Sequence, residues 1–315
     1  MAMTTNTVQA RAAGGPSSSG AGVAYIRGEI VPIAQATIPI LDLGFLHSDA
    51  TYDVVHVWNG RFFRLDDHLD RFERGMAQLR MSLPIGRDRI REILQECVRS
   101  SGLDNAYVEL ICTRGMAAPG SRDPRDCVNQ FYAFAVPFAW VATPEQQETG
   151  LSVHVSGVQR IAPESVDPTV KNYHWLDLVQ GLYDAFDHGA ETALLSDAAG
   201  NVVEGPGFNV FAVSGGALVT PGAGVLEGIT RKTALEIGAA LGAELELRVE
   251  ERALSCDELV GAREVFVTST AGGIMPVTTV NGQAIGAGVP GPVTRKIRAR
   301  YWELHDDSRY SEPVG

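Results

Sequence analysis

The chain has 315 residues, 45% of them hydrophobic, which is enough apolar side chain for a sizeable core in one large or two ordinary domains. Its formal net charge of -12 argues against general attraction to nucleic acid, and no run approaches the roughly 18 to 20 apolar residues that cross a bilayer. A small-molecule ligand is therefore expected, with no nucleic-acid or membrane partner. The stretch Met1 to Gly20 lacks an apolar signal core, and Cys97, Cys112, Cys127 and Cys256 form no CxxC pair, so a cytoplasmic protein with buried free thiols is expected.

In chain order, residues 1–22 contain GGPSSSG and too little apolar surface to fold, which predicts a disordered tail. AYIRGEIVP predicts a hairpin turning at Arg27-Gly28, and TYDVVHVWNGRFFRL a second one at Asn59-Gly60. Leu69, Phe72, Met76 and Leu79 recur at helical spacing over Leu65 to Met81, as do Ile90, Ile93, Leu94 and Cys97 over Arg87 to Ser100. Strands over Ala106 to Thr113 and Gln130 to Pro137, separated by a polar loop from Ala117 to Asn129, complete an expected N-terminal domain, residues 23–141.

ATPEQQETG, residues 142–150, reads as an interdomain linker, followed by a larger domain over residues 151–305 and a C-terminal tail over 306–315. Within the larger domain the pattern predicts a strand at Leu151 to Val158, a helix at Trp175 to His188, and a strand at Glu191 to Ser196. A turn at Ala199 to Asn201 then precedes strands at Asn209 to Val213 and Ala217 to Thr220. A helix at Thr230 to Leu241, a strand at Glu244 to Val249, a short helix at Ser255 to Val260, a strand at Glu264 to Thr268 and a helix from Pro292 follow.

Only three lysines stand among the 26 basic residues: Lys171, Lys232 and Lys296. The last two each follow an arginine within a helical pattern, the setting of a solvated charge. Lys171 instead follows a proline-containing loop, so its amine is either a surface charge or a constrained functional group. Thr230 precedes a helix whose first N–H groups suit an anion, although a threonine there also serves as a plain N-cap. Glu204, in VVEGPGFNVF, is either an exposed loop acid or a buried carboxylate in need of a partner. The Ser269 to Gly273 turn offers small residues and hydroxyls, and Arg71 is either a surface charge or an anion clamp. His47, His56 and His68 lack HExxH-type spacing, no metal site is expected, and neither GxSxG nor a P-loop occurs.

Taken in order, HSDATYDVVHVWNGRFFRLDDHLDRF, VDPTVKNYHWLDL, EGPGFNVF, PGAGVLEGITRKTALEI and TSTAGGIMPV resemble the fold-type IV pyridoxal-phosphate enzymes, closest to the (R)-selective amine transaminases. The resemblance runs from about Val23 to Trp302. It implies an α+β fold with a small N-terminal α/β domain and a larger domain with a mixed β-barrel-like core. It also implies pyridoxal 5'-phosphate as cofactor, with Lys171 bonded to it, Glu204 at the pyridine nitrogen, and Arg71, Ile229, Thr230 and Thr270 around the phosphate.

The same resemblance implies a substrate pocket of His47, Tyr52, Val54, Tyr107, Glu109 and Trp175, with tyrosine at 107 where the family commonly has phenylalanine. Arg122 looks like the mobile arginine that pairs with a keto-acid carboxylate, and Arg125 is its rival. The implied reaction moves an amino group from an amine or D-amino acid to pyruvate or a related keto acid, in a homodimer with shared active sites. A D-amino-acid or branched-chain aminotransferase, an aminodeoxychorismate lyase and a non-catalytic binding homologue are the alternatives.

Overall fold

The computed structural model describes residues 21–315. The tail expected over residues 1–22 lies, up to residue 20, outside the described residues. The carbonyl of Gly22 already accepts a hydrogen bond from the Ile33 N–H at 3.1 Å.

The first half of the chain builds one antiparallel sheet from β1 (Val23–Ile26), β2 (Glu29–Pro32), β3 (Ala50–Trp58), β4 (Arg61–Phe63), β5 (Ala106–Thr113) and β6 (Gln130–Pro137). Both expected hairpin turns form, with positive φ at Arg27 and Gly28 and at Asn59 and Gly60, the geometry of the tight turns that match strand twist. A short helix α1 (Leu43–His47) precedes β3, with the Asp42 carboxylate accepting the Gly44 N–H at its start. Helices α2 (Leu65–Gln78) and α3 (Arg87–Ser101) lay Leu65, Leu69, Phe72, Ile93 and Leu94 against Val55, Val57, Val108 and Leu110 of the sheet. Burial of one apolar stripe per helix is what their spacing required.

The expected linker is a docked segment instead. It contains α4 (Pro144–Thr149), started by a capping box between Thr143 and Gln146, and Ala142 is fully buried in the second core. The second half then supplies β7 (Leu151–Gln159), α5 (Leu176–Asp187), β8 (Thr192–Ser196), β9 (Asn201–Gly205), β10 (Phe208–Ser214), β11 (Ala217–Thr220) and α6 (Ile229–Leu245). After these come β12 (Arg248–Glu251), β13 (Leu254–Ser255), α7 (Cys256–Val260), β14 (Glu264–Ser269), β15 (Gly273–Val280), β16 (Gln283–Ala284) and α8 (Pro292–Glu303).

Strands β10, β14, β15, β7, β8 and β9 pair in that order, and β9 pairs back onto β10, closing a six-stranded mixed barrel. The β15–β7 and β7–β8 pairs are parallel and the other barrel pairs antiparallel. Val153, Leu194, Val202, Val210, Val265 and Met275 fill its interior. Helices α6 and α8 cover the outer face through Ala234, Ile237, Ile297 and Tyr301 against Phe211 and Phe266, so β10 and β14 are buried on both faces.

Three further expectations are corrected. The helix expected to stop at Leu241 runs through Gly242 to Leu245 and ends at Glu246 in the left-handed conformation, with the Glu246 and Leu247 N–H groups both donating to the Gly242 carbonyl. The strand expected from Glu244 accordingly begins only at Arg248. The C-terminal segment, expected as a tail, forms β17 (Ser311–Pro313) beside β4 and buries Val314 in the first core.

Candidate active site

A cavity of about 320 Å³ opens between the two halves. The first half contributes Tyr52 and Val54 from β3, Tyr107 from β5 and Arg71 from α2. The second contributes Lys171 and Trp175 from the loop before α5, Glu204 from β9, Ile229 and Thr230 from the start of α6, and Thr270 from the β14–β15 turn. Sequence positions more than 200 residues apart thus meet at one site.

Lys171 is held by its backbone. Its carbonyl accepts from the Tyr52 N–H at 3.1 Å and from Thr51 Oγ1 at 2.9 Å, and Asn172 forms a bridge with Thr51, so the lysine loop is docked on β3. Its Nζ sits 4.5 Å over the Tyr52 ring and, among the described residues, enters no ion pair. Burial and then the neighbouring Arg71 charge lower the ammonium from 10.5 to about 8, against the opposing pull of Asp53, Glu109 and Glu204. The neutral amine is therefore far more available near neutral pH than that of an ordinary lysine.

Glu204 is buried, accepting Arg160 Nε at 3.0 Å on one oxygen and the Leu226 N–H at 3.0 Å on the other. Arg160 is itself fixed by Asp177 at 2.6 Å. Burial raises the Glu204 carboxyl, with Arg160 opposing. On the far side, Arg71 donates to Asp53 through Nε at 2.7 Å and Nη2 at 2.8 Å, and through Nη1 to the Glu227 carbonyl at 3.0 Å. His68 Nδ1 lies 2.7 Å from the same Asp53 carboxylate. Burial pushes Asp53 up, but Arg71 and His68 outweigh it and hold the group well below the usual carboxylate range.

The start of α6 carries bare donors. Gly228 is the N-cap and supplies no side-chain cap, and the N–H groups of Ile229 and Thr230 have no acceptor among the described residues. Thr230 is therefore inside the helix and not its cap, correcting the sequence reading. A Cβ on Gly228 would lie 2.2 Å from Asn209 Oδ1, so only glycine leaves this backbone open. The buried Thr268 hydroxyl, also on the cavity wall, likewise has no partner among the described residues.

Unpaired amide donors and Arg71 at one end, a buried carboxylate at another and an unpaired lysine between the walls fit a phosphorylated pyridine aldehyde. These donors match a phosphate, Glu204 a protonated ring nitrogen, and Lys171 an aldehyde carbon.

Three expected pocket residues do not line the cavity. His47 ends α1 and is exposed. Glu109 is buried behind the wall, accepting Tyr107 Oη at 3.2 Å and Tyr173 Oη at 2.6 Å, and burial raises its carboxyl against the Tyr173 hydrogen bond and the Lys171 charge. Arg122 and Arg125 are exposed on the loop between β5 and β6, and Arg125 is tied to Asp123.

Asp53, His68, Arg160, Asp177, Tyr173 and Thr268 were not anticipated. Asp53 had a signal, since an acid inside the apolar run of β3 needs a buried partner, and His68 and Arg71 share a helix face at i, i+3. Arg160 and Asp177, on different elements, had none.

Residues 50–280 match the family model for amino-transferase class IV. The chain belongs to the class IV aminotransferases. This class IV aminotransferase is 30% identical over 283 residues to a putative branched-chain-amino-acid aminotransferase of Methanocaldococcus jannaschii, an alignment covering 89% of this chain and 95% of the relative. It is also 30% identical over 275 residues to the D-alanine aminotransferase of Bacillus licheniformis, covering 86% and 93% respectively.

Among solved structures, the Escherichia coli branched-chain amino acid aminotransferase superposes with a TM-score of 0.86 at 26% identity, covering 93% of this chain and 99% of that one. The holo-form of the Thermobaculum terrenum branched-chain enzyme, with pyridoxal phosphate, does so with 0.82 at 27%, covering 94% and 99%. The aminotransferase is thus a fold-type IV enzyme, and pyridoxal phosphate is its cofactor. No helix among the described residues is long and apolar enough to cross a membrane.

Proposed function

We propose that this aminotransferase is an (R)-selective amine transaminase, moving the amino group of a primary amine or D-amino acid to pyruvate or a related 2-keto acid. The observation that carries this reading is the charge bookkeeping of the cavity wall. Of its cationic residues, Arg71 is committed to Asp53, Arg160 to Glu204 and Asp177, and Lys171 is the reacting amine. Among the described residues no fixed cation on the wall is left for a donor carboxylate, while Tyr52, Val54, Tyr107 and Trp175 offer apolar surface to a donor without one. Arg122, exposed on its loop, is the candidate to turn in and meet the keto-acid carboxylate.

Pyridoxal phosphate, when bound, supplies a reactive aldehyde and a ring that takes up the electrons of the substrate C–H bond. Lys171 would hold the cofactor through its Nζ, and the burial and Arg71 charge that lower its ammonium fit the same amine to take up and return a proton at the substrate carbon. Glu204, fixed by Arg160 and Leu226, would face the ring nitrogen and favour its protonated form. Arg71, the α6 N–H groups and Thr270 would hold the phosphate, and Asp53 with His68 fixes the angle of the guanidinium. Tyr107 and Tyr173 hold the Glu109 carboxylate behind the pocket. Two half-reactions on one site give ping-pong kinetics.

A second reading, a branched-chain or D-amino-acid aminotransferase, is favoured by the names of the relatives at 30% identity. An amino-donor panel with pyruvate separates them, comparing (R)- and (S)-1-phenylethylamine with D-alanine and L-leucine. Fastest turnover with the (R)-amine is expected. Turnover of L-leucine alone would overturn the proposal.

A homodimer with shared active sites belongs to the same reading. Ile40, Leu41 and Phe45 are 73%, 65% and 63% exposed beside His47, an apolar surface that a second subunit would cover while bringing His47 to the neighbouring cavity. The four free cysteines suit a cytoplasmic setting.

A further inference from the structure

Two imidazoles and a carboxylate converge away from the cavity, where the end of α5 crosses β7. His154 lies on β7, Asp184 sits in the last turn of α5, and His188 caps that helix one turn later. Candidate ligand atoms of all three lie within 4.8 Å of one another. His154 Nε2 is 3.7 Å from Asp184 Oδ2, His188 Nδ1 is 3.3 Å from Asp184 Oδ1, and the two rings stack with centroids 4.1 Å apart.

These carboxylate separations are too long for good hydrogen bonds. The 3.3 Å between His188 Nδ1 and Asp184 Oδ1 is the spacing of two ligands on one small cation, since bonds of about 2.0 to 2.2 Å at tetrahedral angles put neighbouring ligand atoms roughly 3.3 to 3.6 Å apart; His154 Nε2 faces the other oxygen, and the stacked rings, 9° from parallel, must turn apart for both to face one ion.

The carboxylate is also held in place. Its Oδ2 accepts Ser156 Oγ at 2.5 Å and the Gly157 N–H at 3.0 Å, while among the described residues Oδ1 accepts no such bond. Hydrogen bonds to one oxygen of a ligating carboxylate are how proteins fix its direction. The ring nitrogens of His154 make no hydrogen bond among the described residues. His188 Nδ1 touches the Asp184 carbonyl at 2.8 Å, but this side chain is exposed, so rotation to free either nitrogen costs little.

We propose that His154, Asp184 and His188 form a binding site for a divalent first-row transition cation, with water completing the coordination. Two imidazoles and one carboxylate suit zinc, cobalt or nickel better than magnesium or calcium, which prefer oxygen. The cation would join β7 to the end of α5, and the chain between those two anchors contains both Arg160 and Lys171. Its effect is therefore to brace the segment that carries the lysine. No sequence motif announces it, because His154 and the Asp184–His188 pair lie on different elements.

The test titrates zinc chloride into chelator-stripped, cofactor-loaded full-length protein by calorimetry, with metal analysis after desalting. One zinc per chain is expected, with a rise in Tm on zinc addition. His154→Ala and His188→Ala should each weaken binding at least about tenfold and remove that rise, and Ser156→Ala should weaken it less, as expected for loss of a group that only orients a ligand. His188 is on the exposed end of its helix, so its variant tests the site even if His154→Ala disturbs the strand. Wild type binding no more zinc than the two histidine variants would overturn the proposal, as would an unchanged Tm rise in both.

Discussion

Replacing Lys171 with methionine should make the cofactor-free protein more stable while abolishing transamination. The lysine is lowered from 10.5 to about 8 because its ammonium is held in a partly desolvated cavity beside Arg71. At about 1.4 kcal/mol for each tenfold change, holding it there costs the cofactor-free fold about 3 kcal/mol at pH 7. This is an upper value, since the side chain is not wholly shielded. The sign follows from proton counting. Between pH 8 and 10.5 the unfolded chain keeps the proton that the folded chain has lost, so the penalty is full below pH 8 and fades as pH rises towards 10.5. At pH 9.5 less than half should remain. Methionine of similar length keeps the packing and removes the charge. Urea unfolding of cofactor-free wild type and Lys171→Met at pH 7 and pH 9.5 measures the difference. The variant should lead by roughly 1 to 3 kcal/mol at pH 7, with the lead shrinking at the higher pH. Equal stability at pH 7, or a lead that does not change with pH, would refute the placement of this amine in a desolvated, cationic site.

Glu204→Gln keeps the shape of the side chain but loses the charge that would face the ring nitrogen and that Arg160 neutralises. A hydrogen bond to a charged group is worth about 1.5 to 3 kcal/mol, so kcat should fall about 10- to 150-fold with little change in cofactor content, measured by stopped-flow half-reactions. Asp53→Asn leaves Arg71 without its buried counter-charge, and cofactor affinity should fall at least about tenfold by equilibrium dialysis, with about 3 to 5 kcal/mol lost in unfolding experiments. Because Asp53 is held below the ordinary carboxylate range, its contribution to stability should be present above about pH 4 and lost as pH falls further. A wild-type acid-unfolding profile in this variant would contradict that.

What the sequence disclosed divides by the range of the interaction that decides each feature. The hairpins at Arg27-Gly28 and Asn59-Gly60 are local and were legible, because two adjacent residues at positive φ specify the turn. The helices α2 and α3 were legible from one apolar stripe each. β15 was not, because Pro276 sits inside GIMPVTTV and a proline argues against a central strand. The strand nevertheless forms, since pairing with β7 begins only at Val277, just past the residue that lacks an N–H. β9 was hidden for a related reason, its NVVEG being bounded by a turn residue and a glycine, although that strand closes the barrel.

The same division runs through the site. Lys171, Glu204 and Arg71 stood out as chemically conspicuous side chains, but a bare charge becomes a cofactor ligand only when something fixes its direction. That work falls to Asp53, His68, Arg160 and Asp177, three of them brought in from other elements. Tyr107 and Glu109 show how fine the distinction is. Two residues apart on β5, they share one face of the strand, yet the tyrosine ring lines the cavity while the carboxylate is taken up by Tyr107 and Tyr173 behind it. Sequence position puts a residue on the correct face, and the hydrogen-bond partner it finds there decides whether it meets the substrate or holds the group that does.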